Sequence, residues 1–340
     1  MKFFNPLRRL VMIRKDTDIT GFNESEYLAA NPDVAASVER GNHKSGFQHY
    51  QLHGKREGRP LKKEKTREEK IFHMLDKKGL GLEIGPSHAP IASKKKGFNV
   101  QTIDHLDASG LRMKYQNDPN VNIDNIEEVD FVWNGEPYSE LIGKSECYDW
   151  IIASHLIEHV PDFLFFLKQC ETMLKPSGFL SLAIPDRRYC FDYFNTITMT
   201  GHVLDAWHGK STRPTPGQVF DGFANQSSNN EAFAWGPGQG GATRQGEGKF
   251  ADAKNRYLRA LASNDYIDTH CWRFTPASFR LLISDLQALE LLSLGIVCEF
   301  EPFGCEFLAT LAKGKIMPEI NRFDALQKIL FEGQPESFSQ

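Results

Sequence analysis

Paired cysteines are missing from this chain. Its six cysteines, Cys147, Cys170, Cys190, Cys271, Cys298 and Cys305, are scattered, and none forms a C-x-x-C pair. That argues against a secreted disulfide scaffold and against a cysteine zinc site. A reducing cytoplasm is the simplest setting. Long apolar runs are also absent, and none reaches the roughly 20 residues a transmembrane helix needs. Nor is there a strong excess of either charge. A net charge of −4 over 340 residues argues against bulk binding to nucleic acid. What remains is 40% hydrophobic and 25% charged, enough for one large domain with a small module attached.

The first fifteen residues, MKFFNPLRRLVMIRK, carry five basic side chains and no acidic one. Arg8 and Arg9 interrupt the apolar core, about 7–15 residues long, that a signal peptide requires. Residues 1–19 therefore read as a basic tail. Phe3, Phe4, Leu7, Leu10 and Val11 also suit it to rest on an anionic membrane surface. The expected location is cytoplasmic, with peripheral contact at the inner membrane face as the alternative. Residues 20–65 read as a small helical module and linker, punctuated by Asn31-Pro32, Gly41, Gly46 and Gly54. Tyr27-Leu28, Asn31-Pro32-Asp33-Val34, His49-Tyr50 and Gly54 through Arg59 resemble a short module found in bacterial cell-surface and glycan-related proteins. The resemblance implies a docking accessory, a contact with a glycan or membrane assembly. The run KKEKTREEK after it reads as a solvated linker or helix face.

From residue 66 to 317 the pattern alternates between strands and helices. LGLEIG, FNVQTIDH, YDWIIAS and FLSLAIPD read as strands, the third apolar enough to be covered on both faces. PDFLFFLKQCETMLKPSG reads as an amphipathic helix that KPSG ends. This alternation predicts an α/β fold with a mostly parallel sheet and helices on both faces. Ligands then bind beyond the carboxyl ends of the strands. GLEIGPS is the pivotal stretch. It places a charge, Glu83, inside an apolar strand and a glycine, Gly85, at the turn that follows. The later glycines of a dinucleotide fingerprint are missing, since Pro86, Ser87, His88 and Ala89 come next.

These motifs together resemble a class I S-adenosylmethionine-dependent methyltransferase, of a type associated with surface-polysaccharide biosynthesis. The resemblance implies a Rossmann-like sheet with an antiparallel C-terminal strand, and S-adenosylmethionine as cofactor. LEIGPS resembles the first motif, which assigns Glu83 to the methionine end of the cofactor and Gly85, Pro86 and Ser87 to the turn beneath it. VQTIDH resembles the second strand, with Asp104 on the ribose hydroxyls. VDFVWNG resembles the segment beside adenine, nominating Asp130. YDWIIASHLIEHVPD resembles the fourth strand, so Ser154 and His155 line the cofactor floor.

Past the fifth strand, residues 189–250 are aromatic, basic and glycine-rich. They are expected to form an acceptor pocket or lid, with Asp186, Arg187, Arg188 and Tyr189 at its root as substrate-binding candidates. A brace in which Arg187 pairs with Asp186 is the structural alternative. Trp207, Arg213 and Trp235 within the segment suit a sugar ring or an anionic group. Thr275-Pro276 starts a helix with Phe279, Leu282, Ile283 and Leu286 on its core face. LLSLGIVCEF and CEFLATLAKG read as the closing antiparallel strands, and FDALQKILF as a helix in the tail 318–340. If the acceptor is a hydroxyl, a base is needed. His155, Glu158, His159 and His270 are the catalytic candidates, and no metal-ligand cluster is evident. The leading expectation is methyl transfer to a sugar hydroxyl of a glycan intermediate. The alternatives are a quinone, lipid or other metabolite as acceptor, or a noncatalytic assembly protein.

Overall fold

The run YDWIIAS has no polar face, and the fold shows why. Trp150 and Ile152 pack with Ile71, Phe72 and Leu308 on one side of the sheet. Ile151 and Ala153 pack with Phe163, Phe279 and Leu282 on the other. A strand with a side-chain period of two must be apolar at every position when both faces are covered. The structure is a computed structural model and describes residues 22–246 and 249–332. The chain divides between Thr66 and Arg67 into two compact units.

In the first unit, α1 (Glu24–Ala30), α2 (Pro32–Glu39) and α3 (Gly46–His49) lead into a π-turn at Tyr50–Gly54. Tyr27 is fully buried, and its hydroxyl lies 3.0 Å from His49 Nδ1. Asn31 donates to the carbonyls of Tyr27 and Pro60, both at 2.9 Å. Arg59 pairs with Asp33 at 2.8 Å and with Glu57 at 2.9 Å. A Cβ on Gly54 would stand 2.2 Å from the Tyr27 oxygen, so no side chain fits there. The residues of the recurring pattern thus hold the module itself together. The basic segment 1–19 lies outside the described residues.

The second unit opens with α4 (Arg67–Ile71) and carries the sheet. Its strands are β1 (Gly81–Ile84), β2 (Val100–Asp104), β3 (Phe131–Val132), β4 (Tyr148–Ser154), β5 (Leu174–Pro185), β8 (Leu294–Phe303) and β9 (Glu306–Lys313). A separate hairpin, β6 (Ser227–Asn229) with β7 (Thr243–Gln245), lies between them in sequence. The sheet order is β3-β2-β1-β4-β5-β9-β8. Strands β1 to β5 run parallel, and β9 is antiparallel to both β5 and β8. The order reverses at β1, so the crevice between the tips of β1 and β4 is the expected ligand position. Helices α5 (Ala108–Tyr115), α6 (Tyr138–Ile142), α7 (Phe163–Met173) and α11 (Pro276–Ala288) flank the sheet. The α11 start is as the sequence predicts. Thr275 caps it, Pro276 is its first residue, and Phe279, Leu282, Ile283 and Leu286 are buried. In the tail, α12 (Arg322–Glu332) packs Ile329 against Ala277 and Leu281. No described helix is long and apolar enough to cross a membrane.

Two expectations need correction. KPSG does not end α7 with a turn; the helix stops at Met173 and β5 begins at once. Residues 189–250 are not a glycine-rich loop. They hold α8 (Thr200–His208), α9 (Pro216–Ala224), the β6–β7 hairpin and the first turn of α10 (Lys249–Ala262). The side chains expected to face an acceptor serve this packing. Arg213 donates to the Ala260 and Ser263 carbonyls. Trp207 packs on the main core. Trp235 is buried, with its backbone N–H on the Tyr189 carbonyl at 2.9 Å.

Candidate functional site

Glu83 is 2% exposed, and what it holds is backbone. One carboxylate oxygen accepts the Ile91 N–H at 2.8 Å, the other the Ala92 N–H at 2.9 Å. The acid therefore fixes the far end of the loop that leaves β1. Burial pushes its pKa up to about 7, against the two amide hydrogen bonds that favour the charged form. Gly85 turns the chain with φ +68°, a left-handed conformation that costs any other residue. Pro86 follows, and Ser87 repeats the left-handed turn at φ +48°. The Ser87 N–H then bonds Asp104 at 2.9 Å. Asp104, buried at the tip of β2, also accepts from the His105 backbone at 2.8 Å and lies 2.6 Å from its ring. The tips of β1 and β2 are thus tied together through one carboxylate.

Asp130 does not stand at a strand tip. It precedes β3, and the register sets Asp104 beside Val132. Its Oδ2 accepts from the Thr102 N–H and hydroxyl at 2.7 and 3.1 Å, and from Lys94 at 2.5 Å. It braces β2 against β3 from below. Trp133 and Asn134 follow β3 (Phe131–Val132) in the chain.

At the tip of β4, the Ser154 hydroxyl accepts from Arg67 at 2.7 Å. Arg67 also grips Glu306 with two bonds of 2.6 and 2.9 Å, and Glu306 reaches His155 Nε2 at 2.8 Å. Burial lowers the His155 pKa, but Glu306 and Glu158 outweigh it and the net shift is upward. Arg67 and Glu306 escaped sequence reasoning. The first lay in a charge run and the second in a strand.

Beyond that tip, three of the four predicted catalytic candidates converge. Ligating atoms of Glu158, His159 and His270 all lie within 4.8 Å of one another. Glu158 is 1% exposed, and neither carboxylate oxygen has a hydrogen-bond partner. Its Oε1 lies 3.7 Å from His155 Nδ1 and 3.9 Å from His159 Nε2. His159 Nδ1 lies 2.8 Å from Asp268, and His270 Nδ1 lies 2.5 Å from Asp192. Burial lowers the His159 pKa, while Asp268 and Glu158 raise it further.

The substrate-binding candidates at the end of β5 are engaged internally. Asp186 is fully buried and takes Arg188 in a two-pronged bond of 2.8 and 2.6 Å. The brace therefore uses Arg188; Arg187 donates to the Tyr193 carbonyl at 3.0 Å. The Arg188 guanidinium lies 5.2 Å from the Tyr189 ring centre. A surface depression of about 610 Å³, lined by Glu146, Lys168 and Glu171 among others, adjoins the amino end of β4. It is at the wrong end of the sheet for this chemistry.

A model of the family described as "Methyltransferase domain" matches residues 55–287. Among curated proteins, the chain is similar to a ubiquinone biosynthesis O-methyltransferase from Actinobacillus pleuropneumoniae serotype 7 (strain AP76). The two are 30% identical over 131 residues, 35% of this chain and 50% of that protein. It is also similar to the protein of that name from Bradyrhizobium diazoefficiens, at 28% identity over 108 residues and 32% of each chain. The chain thus spans half or less of the length of these relatives. Among solved structures, a SAM-dependent methyltransferase from Methanosarcina mazei is 16% identical, with 73% of this chain and 97% of that one covered and a TM-score of 0.36. A score that low places no residue. The family match covers most of the chain, and the chain belongs to the methyltransferase-domain family. Its second unit has the strand order of a class I methyltransferase sheet.

The residues present fit S-adenosylmethionine as cofactor. Gly85 leaves the β1 tip bare, and a Cβ there would come within 3.0 Å of Leu156 Cδ1. Asp104 puts a buried carboxylate at the β2 tip, and its Oδ2, which takes only the Ser87 N–H, has a lone pair left for a ribose hydroxyl. Glu83, through Ile91 and Ala92, would set the loop on which the methionine end rests.

Proposed function

We propose that this chain transfers a methyl group to a hydroxyl of a small-molecule acceptor, and that the acceptor is a sugar or glycan intermediate. The observation that carries the hydroxyl is the convergence of Glu158, His159 and His270, with His155 beside them, past the β4 tip. A hydroxyl must lose its proton as it attacks, and only a cluster of acid–base groups at that place can relieve it. When bound, S-adenosylmethionine supplies a methyl group already activated by its sulfonium. The chain's own residues then bind, orient and deprotonate. Asp104 and the Gly85 turn position the ribose and methionine ends. His155, held by Glu306, presents Nδ1 toward the acceptor side. The two carboxylate-backed histidines face the same space, which excludes water once filled.

The sugar reading is supported by the likeness of residues 20–59 to modules of glycan-related proteins. A second reading, a quinone precursor, is favoured by the similarity to two ubiquinone biosynthesis O-methyltransferases. The domain organisation proposed here is a docking module that carries no chemistry, before Thr66, and a catalytic unit after it. The test is incubation with methyl-labelled cofactor and two acceptor panels, nucleotide sugars with glycan fragments and hydroxylated quinone precursors. Label in a sugar hydroxyl supports the leading reading; label only in the second panel replaces it; label on nitrogen or carbon alone refutes hydroxyl transfer.

A further inference from the structure

We propose that Glu158, His159 and His270 form a binding site for a divalent transition-metal ion of the zinc class. Three independent features point there. The first is the ligand set: two imidazoles and one carboxylate, with ligating atoms within 4.8 Å of one another. Ligands of one tetrahedral ion, at about 2.0–2.2 Å from it, lie roughly 3.3–3.6 Å apart. An inward rotation of about 1 Å closes the set around an ion. The second is the Glu158 carboxylate, 1% exposed, with both oxygens unpartnered. A buried carboxylate without a hydrogen bond is costly; the His155 and His159 rings at 3.7 and 3.9 Å offset part of that cost, and an ion between the carboxylate and the two metal-facing rings removes the rest.

The third feature is the support behind each histidine. Asp268 holds His159 by Nδ1 at 2.8 Å, and Asp192 holds His270 by Nδ1 at 2.5 Å. Both rings are thereby left to ligate through Nε2, the carboxylate–histidine arrangement that fixes tautomer and orientation at metal centres. The Glu158 backbone carbonyl also accepts the Cys271 N–H at 2.6 Å, which pins the segment carrying His270 to the turn carrying the other two. Three protein ligands leave a tetrahedral ion one open position.

The catalytic consequence rests on the hydroxyl transfer proposed above; ion binding does not. An acceptor oxygen at the open position becomes more acidic. It gives its proton to His155 Nδ1, 3.7 Å from Glu158. The oxygen's electron pair forms the bond to the methyl carbon as the carbon–sulfur bond breaks. The pair of the broken carbon–sulfur bond stays on sulfur, leaving a neutral thioether, and His155 later releases the proton to water.

The full-length chain, stripped with a chelator, is titrated with cobalt(II) chloride and separately with zinc chloride. One equivalent should bind per chain, with a visible cobalt absorption that zinc abolishes. Glu158→Gln and His270→Asn should each lower zinc affinity by about a hundredfold or more, and Asp268→Asn by about tenfold. The Asp268 side chain is 71% exposed, so this variant folds and keeps the test valid if the buried ones do not. Metal-free melting curves check folding. No cobalt spectrum and no stoichiometric zinc in the wild-type chain, or unchanged affinity in folded variants, overturns the site. Calorimetry with S-adenosylmethionine separates the two ideas. Cofactor binding without metal binding sinks only the ion, whereas metal binding without cofactor binding sinks only methyl transfer.

Discussion

Glu83→Gln should change how the stability of this protein depends on pH. Glu83 is buried, and its pKa rises from 4.5 to about 7 on folding. Between those values the folded state holds a proton that the unfolded state has lost. Stability from this group is therefore fully present below pH 4.5 and is lost as pH rises through 7. The difference of about 2.5 units corresponds to roughly 3 kcal/mol, of which about 2–3 kcal/mol is lost between pH 5 and 8. Glutamine resembles the protonated acid, with one acceptor and one donor group, but does not titrate. Like the protonated acid, it accepts one of the Ile91 and Ala92 amides at every pH.

The assay is urea unfolding of wild type and variant at pH 5, 6, 7 and 8. Subtracting the two curves cancels every other titrating group. Relative to the variant, the wild type should lose about 2–3 kcal/mol of stability between pH 5 and pH 8. Parallel curves would mean that Glu83 ionises normally in the fold, and that the two amide bonds offset its burial.

Most of the sheet was legible because burial on both faces writes itself into the sequence. YDWIIAS and FLSLAIPD have no polar face, and the glycine after GLEI marks the turn. The short β3 was not legible from periodicity, since two residues, Phe131 and Val132, carry no period. The resemblance of VDFVWNG to a segment beside adenine nominates Asp130, and the register sets it before β3. The insertion misled for another reason. Its glycines and prolines advertise loops, and the amphipathic KFADAKNRYLRALA was submerged in them, yet it forms α10. Aromatic and basic side chains suit a sugar and suit packing equally well, and composition does not separate the two.

Of the site, the turn after β4 could be read because His155, Glu158 and His159 are close in sequence. The partners that define their chemistry come from elsewhere. Glu306 lies on an antiparallel strand, Arg67 on a helix that precedes β1, Asp192 near the start of the inserted region and Asp268 beyond α10. A single sequence carries no signal for such long-range pairs beyond the presence of the charged residue itself. Asp186-Arg187-Arg188 shows the limit at short range. The choice of Arg188 over Arg187 as the partner depends on a 3-10 turn, Arg187–Tyr189, that folds the second arginine back on the acid.

Asp104→Ala should weaken S-adenosylmethionine binding by about 1.5–3 kcal/mol, roughly 10- to 150-fold in calorimetry; unchanged affinity would remove Asp104 from the site. A chain beginning at Thr66 should fold and bind cofactor, because the two units part there; circular dichroism and calorimetry decide. Gly85→Ala must hold φ +68° with a side chain and should lose about 1–2 kcal/mol of stability; a neutral result in urea unfolding would show that the turn relaxes. The largest loss should follow Asp192→Ala. This buried carboxylate receives Asn195 at 2.9 Å and Arg273 at 3.2 Å and lies 2.5 Å from His270. Burial raises its pKa, but His270 and Arg273 outweigh that and bring it down from 3.8 to about 2. Its stabilisation is then present above pH 3.8 and lost as pH falls through 2, roughly 2 kcal/mol in all. Removing the acid costs more than that, because Arg273 stays buried without its counter-charge, about 3–5 kcal/mol at pH 7. Asp192→Asn keeps the shape and the hydrogen-bonding oxygen, so it should recover part of the loss but not the charge. If urea unfolding puts the alanine variant within about 1 kcal/mol of wild type, Arg273 finds water or another acid, and the Asp192 pair is not what fixes His270.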